Sequence, residues 1–120
     1  MRQVLVVDDA ADTRLLARLL LERAGYAVAE AETAEDALAV MAEDRPDVVL
    51  LDLQLPGMDG WRMLDVLRDR DWLDRTRVVL FSAHVDPREF KRAEREGARS
   101  YLVKPFTARQ LLDCIGEACT

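Results

Sequence analysis

"VVLLDLQLPGMDG", Val48 to Gly60, decides the fold. Four apolar residues in a row belong to a strand covered on both faces of its sheet. Yet the run ends on a carboxylate, Asp52, and turns at once through Pro56 and Gly57. A second run, "VLVVDDA" from Val4 to Ala10, ends on two carboxylates, Asp8 and Asp9. A third, "RVVLF" from Arg77 to Phe81, leads straight to a hydroxyl, Ser82.

Outward from these runs the chain keeps one rhythm. Two more mixed strand-like runs, "YAVAEA" (Tyr26–Ala31) and "RSYLV" (Arg99–Val103), complete a set of five. Each run is followed by helix signals. Leu15, Leu16, Leu19 and Leu20 read as one apolar face, with Gly25 as the stop. Thr33 with Asp36 forms a capping pattern ahead of Leu38 and Met41, and Pro46 ends that helix. Trp61, Leu64 and Leu67 form a third stripe, with Asp59 as a turn or N-cap acid. Asp86, Pro87 and Glu89 supply an N-cap, a first-turn proline and a capping acid, and Gly97 a stop. Thr107 and Gln110 repeat the capping box before Leu111, Leu112 and Ile115.

Strand–helix alternation at this spacing predicts an α/β fold, a five-stranded parallel sheet with helices on both faces. The three continuously apolar runs are its central strands, and the expected order is 2-1-3-4-5, the flavodoxin-like (βα)5 arrangement. Its ligand site is expected at the carboxyl ends of the strands, near the switch in strand order.

Bulk properties narrow the function. At 120 residues, half of them apolar, the chain is long enough for one hydrophobic core. No apolar run approaches the ~20 residues that cross a bilayer, and the apolar start is too short for a signal peptide. The expected location is cytoplasmic, away from membranes. A formal charge of −6 argues against direct nucleic-acid binding. Cys114 and Cys119, five positions apart on one helix, do not face each other, which argues against a disulfide. They lack the partners of a metal site.

In the expected strand order Asp8, Asp9 and Asp52 converge on one sheet edge. Carboxylates that close resist ionising together, and a divalent cation relieves the conflict. Oxygen ligands, few of them from the protein, suit Mg²⁺ better than zinc. Ser82 joins the edge from strand four. Lys104, one of only two lysines, joins it from strand five. The Lys104–Pro105 bond is open to either isomer. His84, the one histidine, falls in the loop after strand four, and no base sits beside Ser82 for hydrolase chemistry. Three acids, a hydroxyl and an ammonium suit phosphoryl chemistry with a carboxylate nucleophile.

With "VDD" at Val7–Asp9, "DLQLPGMDG" at Asp52–Gly60, "SAH" at Ser82–His84 and "KPF" at Lys104–Phe106, the sequence resembles the receiver domain of two-component response regulators. The resemblance covers residues 1–120 as one domain. It implies that Asp52 accepts a phosphoryl group from a phosphohistidine of a sensor histidine kinase or phosphotransfer protein. It implies that Asp9 binds Mg²⁺ directly, that Asp8 assists through water, and that Gln54 offers its backbone carbonyl. Lys104 and Ser82 would contact the phosphoryl group, with the backbone N–H of Ala83 as a further donor. Tyr101 would be the switch aromatic that follows Ser82. Gln54 and His84 occupy the two positions that tune self-dephosphorylation.

Output would run through the surface of helix four, strand five and helix five to a downstream protein or effector domain. There Arg88, Lys91, Arg92, Arg95, Arg99 and Arg109 form a basic face suited to an acidic partner or a second copy. The chain ends about where a fifth helix would, as expected of a single-domain regulator or of a piece cut from a longer protein. One alternative is an Mg²⁺-dependent haloacid-dehalogenase-type phosphatase, but Gln54 and Ala10 stand where that family needs an acid. A flavodoxin is the other, but "DDAADTR" would repel a flavin phosphate.

Overall fold

The computed structural model of the chain describes residues 2–83 and 86–120. Five parallel strands lie in the order β2-β1-β3-β4-β5. They are β1 (Gln3–Val7), β2 (Ala27–Ala31), β3 (Val48–Asp52), β4 (Arg77–Ser82) and β5 (Ser100–Val103). The helices are α1 (Ala11–Arg23), α2 (Ala34–Glu43), α3 (Gly60–Asp69), α4 (Pro87–Arg95) and α5 (Ala108–Ala118), with a 3-10 turn at Trp72–Asp74. The expected order and alternation are those observed.

Strand alternation builds two apolar layers. Leu5, Val7, Val49, Leu51, Val78 and Leu80 pack on the side of α2 and α3. Val4, Val6, Val48, Leu50, Val79, Phe81 and Leu102 face the side of Ala17, Leu21, Leu111 and Ile115 in α1 and α5. The register sets Val7 beside Leu51, Asp52 beside Phe81 and Ser82 beside Val103. That alignment brings the functional groups to one sheet edge.

The caps follow the sequence pattern. The side chains of Thr33, Asp59 and Asp86 accept from the N–H groups of Asp36, Arg62 and Arg88, and Thr107 with Gln110 closes a full capping box. Glu89 departs from its expected capping part and accepts a hydrogen bond from the Tyr101 hydroxyl. The Lys104–Pro105 peptide is cis.

The apolar face of α1 differs from expectation. Leu15, Leu16 and Leu19 are 54%, 49% and 56% exposed, while Ala17 and Leu21 are fully buried. Four closely spaced leucines offer two possible stripes. The sheet takes the stripe led by a small residue, Ala17, which lets the helix axis approach; Leu20 packs half-buried against that core, and Leu15, Leu16 and Leu19 stay outside. Leu21→Ala should therefore cost roughly 2–5 kcal/mol in chemical denaturation. Leu19→Gln should stay within about 0.5 kcal/mol of the parent. Equal losses would contradict this packing.

Candidate functional site

Each functional side chain is delivered by the end of a strand. Asp8 follows β1, Asp52 and Ser82 end β3 and β4, and Lys104 follows β5. Asp8, Asp52 and Ser82 are buried, at 0%, 4% and 1% exposure, whereas Asp9 is exposed. Oxygens of Asp8, Asp9 and Asp52 lie within 4.8 Å of one another.

Lys104 holds two of the acids together. Its Nζ donates to Asp8 Oδ2 at 2.9 Å and to Asp52 Oδ2 at 3.2 Å. It also sits 4.4 Å from the centre of the Phe81 ring, a cation–π contact. The remaining carboxylate oxygens accept backbone N–H groups: Asp8 Oδ1 from Ala10 at 2.8 Å, Asp52 Oδ1 from Gln54 at 2.9 Å.

The electrostatics follow. Burial raises the Asp52 pKa above the ordinary carboxylate value, and Asp8 adds to the rise. The Gln54 N–H and Lys104 oppose it and do not cancel it. Burial works against the charge of Lys104, but the Asp8 hydrogen bond and the field of Asp52 outweigh it and raise its pKa. Three oxygen donors with one cation among them are a suitable set for a hard divalent ion.

Ser82 and Tyr101 form the second part of the site. They are within hydrogen-bonding reach of each other. Tyr101 is half-buried. Its hydroxyl donates to Glu89 Oε2 at 3.3 Å, and its ring meets Phe90 edge-on at 4.6 Å. Leu53, Gln54, Asp59, Trp61, Ser82 and Glu89 line a cleft of about 240 Å³ beside the acceptor. On the other side Thr13, Leu16, Ala83, Lys104, Pro105 and Phe106 line a second cleft. Gln54 and Ala83 are exposed at the rim. His84 lies outside the described residues.

Three contributors were not assigned from the sequence. A Cβ on Gly60 would stand 2.6 Å from the Asp52 carbonyl oxygen, so only glycine lets α3 begin this close to the acceptor. Its place in the quoted turn was the available signal. Arg14 Nη1 donates to the Asp8 carbonyl at 2.7 Å, and Glu89 reaches Tyr101. Neither contact has a local sequence signature, because both cross between elements.

The raised Asp52 pKa sets a pH dependence. Its ionised form is disfavoured in the folded state, so stability falls as pH rises from the usual carboxylate range through the folded pKa. Asp52→Asn removes that loss. In metal-free buffer its Tm should exceed the parent's at pH 7, and the difference should shrink toward about pH 4. A lower Tm for Asp52→Asn at pH 7 would contradict the assignment.

Over residues 4–116 the sequence matches the response regulator receiver domain family. It is 40% identical to the sensory/regulatory protein RpfC of Xanthomonas campestris pv. campestris, across 96% of this chain and 16% of RpfC. The chain thus spans a small part of that relative's length. It is 30% identical to the sporulation initiation phosphotransferase F of Bacillus subtilis, across 94% of this chain and 90% of that protein. The chemotaxis protein CheY4 of Vibrio cholerae superposes with a TM-score of 0.92 at 30% identity, covering 98% of each chain.

Proposed function

The chain belongs to the response regulator receiver domains of two-component systems, and on that premise we propose that Asp52 is its phosphoacceptor. The observation that carries this assignment is the double bridge from Lys104 to Asp8 and Asp52 beside Ser82. A carboxylate oxygen of Asp52 forms the new bond to phosphorus as the P–N bond of a donor phosphohistidine breaks. Lys104 then pairs with a phosphoryl oxygen. The Ser82 hydroxyl and the Ala83 N–H donate to others. Asp8, Asp9, Asp52 and the Gln54 carbonyl would hold Mg²⁺, with Asp8 acting through water. The ion supplies charge neutralisation at the phosphoryl oxygens.

Tyr101 follows Ser82 toward the phosphoryl group and carries the change to the face of α4, β5 and α5. Of the six basic residues expected there, Arg92 stacks on Trp61 at 4.1 Å and pairs with Glu96. Arg88 pairs with Asp86, and Arg109 approaches Asp113 at 3.8 Å. Lys91, Arg95 and Arg99 are exposed, and they are the members suited to an acidic partner or a second copy. Gln54 and His84 tune hydrolysis of the acyl phosphate by contacting the attacking water. The domain thus promotes its own phosphotransfer and dephosphorylation as a switch, in the cytoplasm where a kinase meets ATP. No helix among the described residues is long and apolar enough to cross a membrane.

A protein phosphodonor must cover the mouth of the site to reach Asp52. Leu16 lines the cleft beside that mouth and is half exposed, and Leu15 and Leu19 are exposed on the same helix, so α1 around Leu16 is the docking surface for the donor. The family match gives no support to a haloacid-dehalogenase phosphatase.

Incubation with acetyl phosphate and Mg²⁺ should add one phosphoryl group, about 80 Da by intact mass. The adduct should vanish on chelation and in Asp52→Ala. Leu16→Gln should slow transfer from a phosphohistidine protein more than from acetyl phosphate. An adduct that persists in Asp52→Ala would move the acceptor elsewhere.

A further inference from the structure

We propose that Arg14 is the positioning residue of the acidic pocket, fixing the Asp8–Asp9 peptide so that both carboxylates serve a divalent cation. The inference rests on the acid cluster being a cation site. Arg14 lies on α1 with only 16% of its side chain exposed. Its Nη1 donates to the Asp8 carbonyl at 2.7 Å, and its Nε donates to Glu30 Oε1 at 3.2 Å. Glu30 Oε2 accepts in turn from Arg18 Nη1 at 2.6 Å, and Arg18 Nε bonds Glu22 at 3.3 Å. A chain of alternating charges therefore ties α1 to β2 and ends on one backbone carbonyl.

That carbonyl belongs to the peptide between the two acids. The Asp8 N–H is already held by the Ala31 carbonyl at 3.2 Å, and the Asp8 carboxylate by the Ala10 N–H. Arg14 completes the set. With the carbonyl held, the Asp8–Asp9 peptide plane is fixed, and so is the direction in which exposed Asp9 leaves the backbone. A planar guanidinium that uses two donors in a rigid fork locks this orientation as an ammonium cannot. Partners that orient metal ligands in this way are needed for full affinity.

The sign of the effect separates positioning from charge. A cation beside a cation site opposes metal binding by Coulomb repulsion. If Arg14 acted through its field alone, removing it would tighten the metal. Positioning predicts the reverse.

The test uses Mn²⁺, which takes similar oxygen ligands, with the free ion followed by electron paramagnetic resonance. Arg14→Met should bind Mn²⁺ about tenfold more weakly than the parent. Arg14→Lys keeps the charge but cannot span Asp8 and Glu30 together, and it should show an intermediate loss. Raising Mg²⁺ should restore acetyl phosphate labelling of both variants, as a damaged fold would not allow. Unchanged or tighter Mn²⁺ binding by Arg14→Met overturns the inference. If Arg14→Met does not fold, parent affinity in Arg14→Lys overturns it, and weakened affinity sustains it. A parent chain that binds no Mn²⁺ overturns the cation site itself, and this inference with it.

Discussion

Two buried carboxylates share one ammonium, and the rest of the site is arranged around that fact. Asp8 and Asp52 approach each other because Lys104 bridges them at 2.9 and 3.2 Å. Their carboxylate oxygens lie within 4.8 Å of each other, and without a cation two like charges at that range would repel by roughly 3–4 kcal/mol at an effective dielectric of about 20. One ammonium against three nearby carboxylates leaves the pocket short of positive charge. Burial adds to the deficit, as the raised pKa of Asp52 shows. The fold therefore presents a place where added positive charge, or an added phosphoryl group facing Lys104, changes the balance of forces.

The parallel sheet makes the convergence possible. Parallel strands end on the same side, and the 2-1-3-4-5 order sets β1 and β3 next to each other with β4 and β5 following. Gly60 lets α3 start against the Asp52 backbone, and Arg14 holds the opposite wall at the Asp8 carbonyl. Ser82 joins this edge to Tyr101, and Tyr101 reaches Glu89 and Phe90 on α4. A change at the acceptor has a short chain of direct contacts to the helix that bears Lys91 and Arg95.

The strand ends were legible in the sequence because buried parallel strands are continuously apolar, so a polar residue marks where each stops. Asp8, Asp52 and Ser82 came together as those runs required, and Lys104 joined them from the end of the more mixed β5. The buried face of α1 was read only in part, since leucines at four closely spaced positions fit two stripes, and only packing against the sheet shows that Ala17 and Leu21 lead the buried one, with Leu20 at its edge. Arg14, Gly60 and Glu89 stayed hidden for a related reason. Their contacts join α1 to β1, α3 to β3 and α4 to β5, and hydropathy periodicity reports one element at a time. The cis Lys104–Pro105 bond was equally undetermined, since either isomer is accessible before proline.

The central claim is that the Asp8, Asp9 and Asp52 cluster is a built cation site and not a set of loop acids. Its most direct test is the Tm as a function of Mg²⁺ at neutral pH, with ionic strength held constant by a monovalent salt. Binding to the folded state alone raises stability with ligand concentration. The account predicts a Tm that climbs with Mg²⁺ in the parent chain and stays flat in Asp9→Asn. The same response in both chains, or none in the parent, would contradict it.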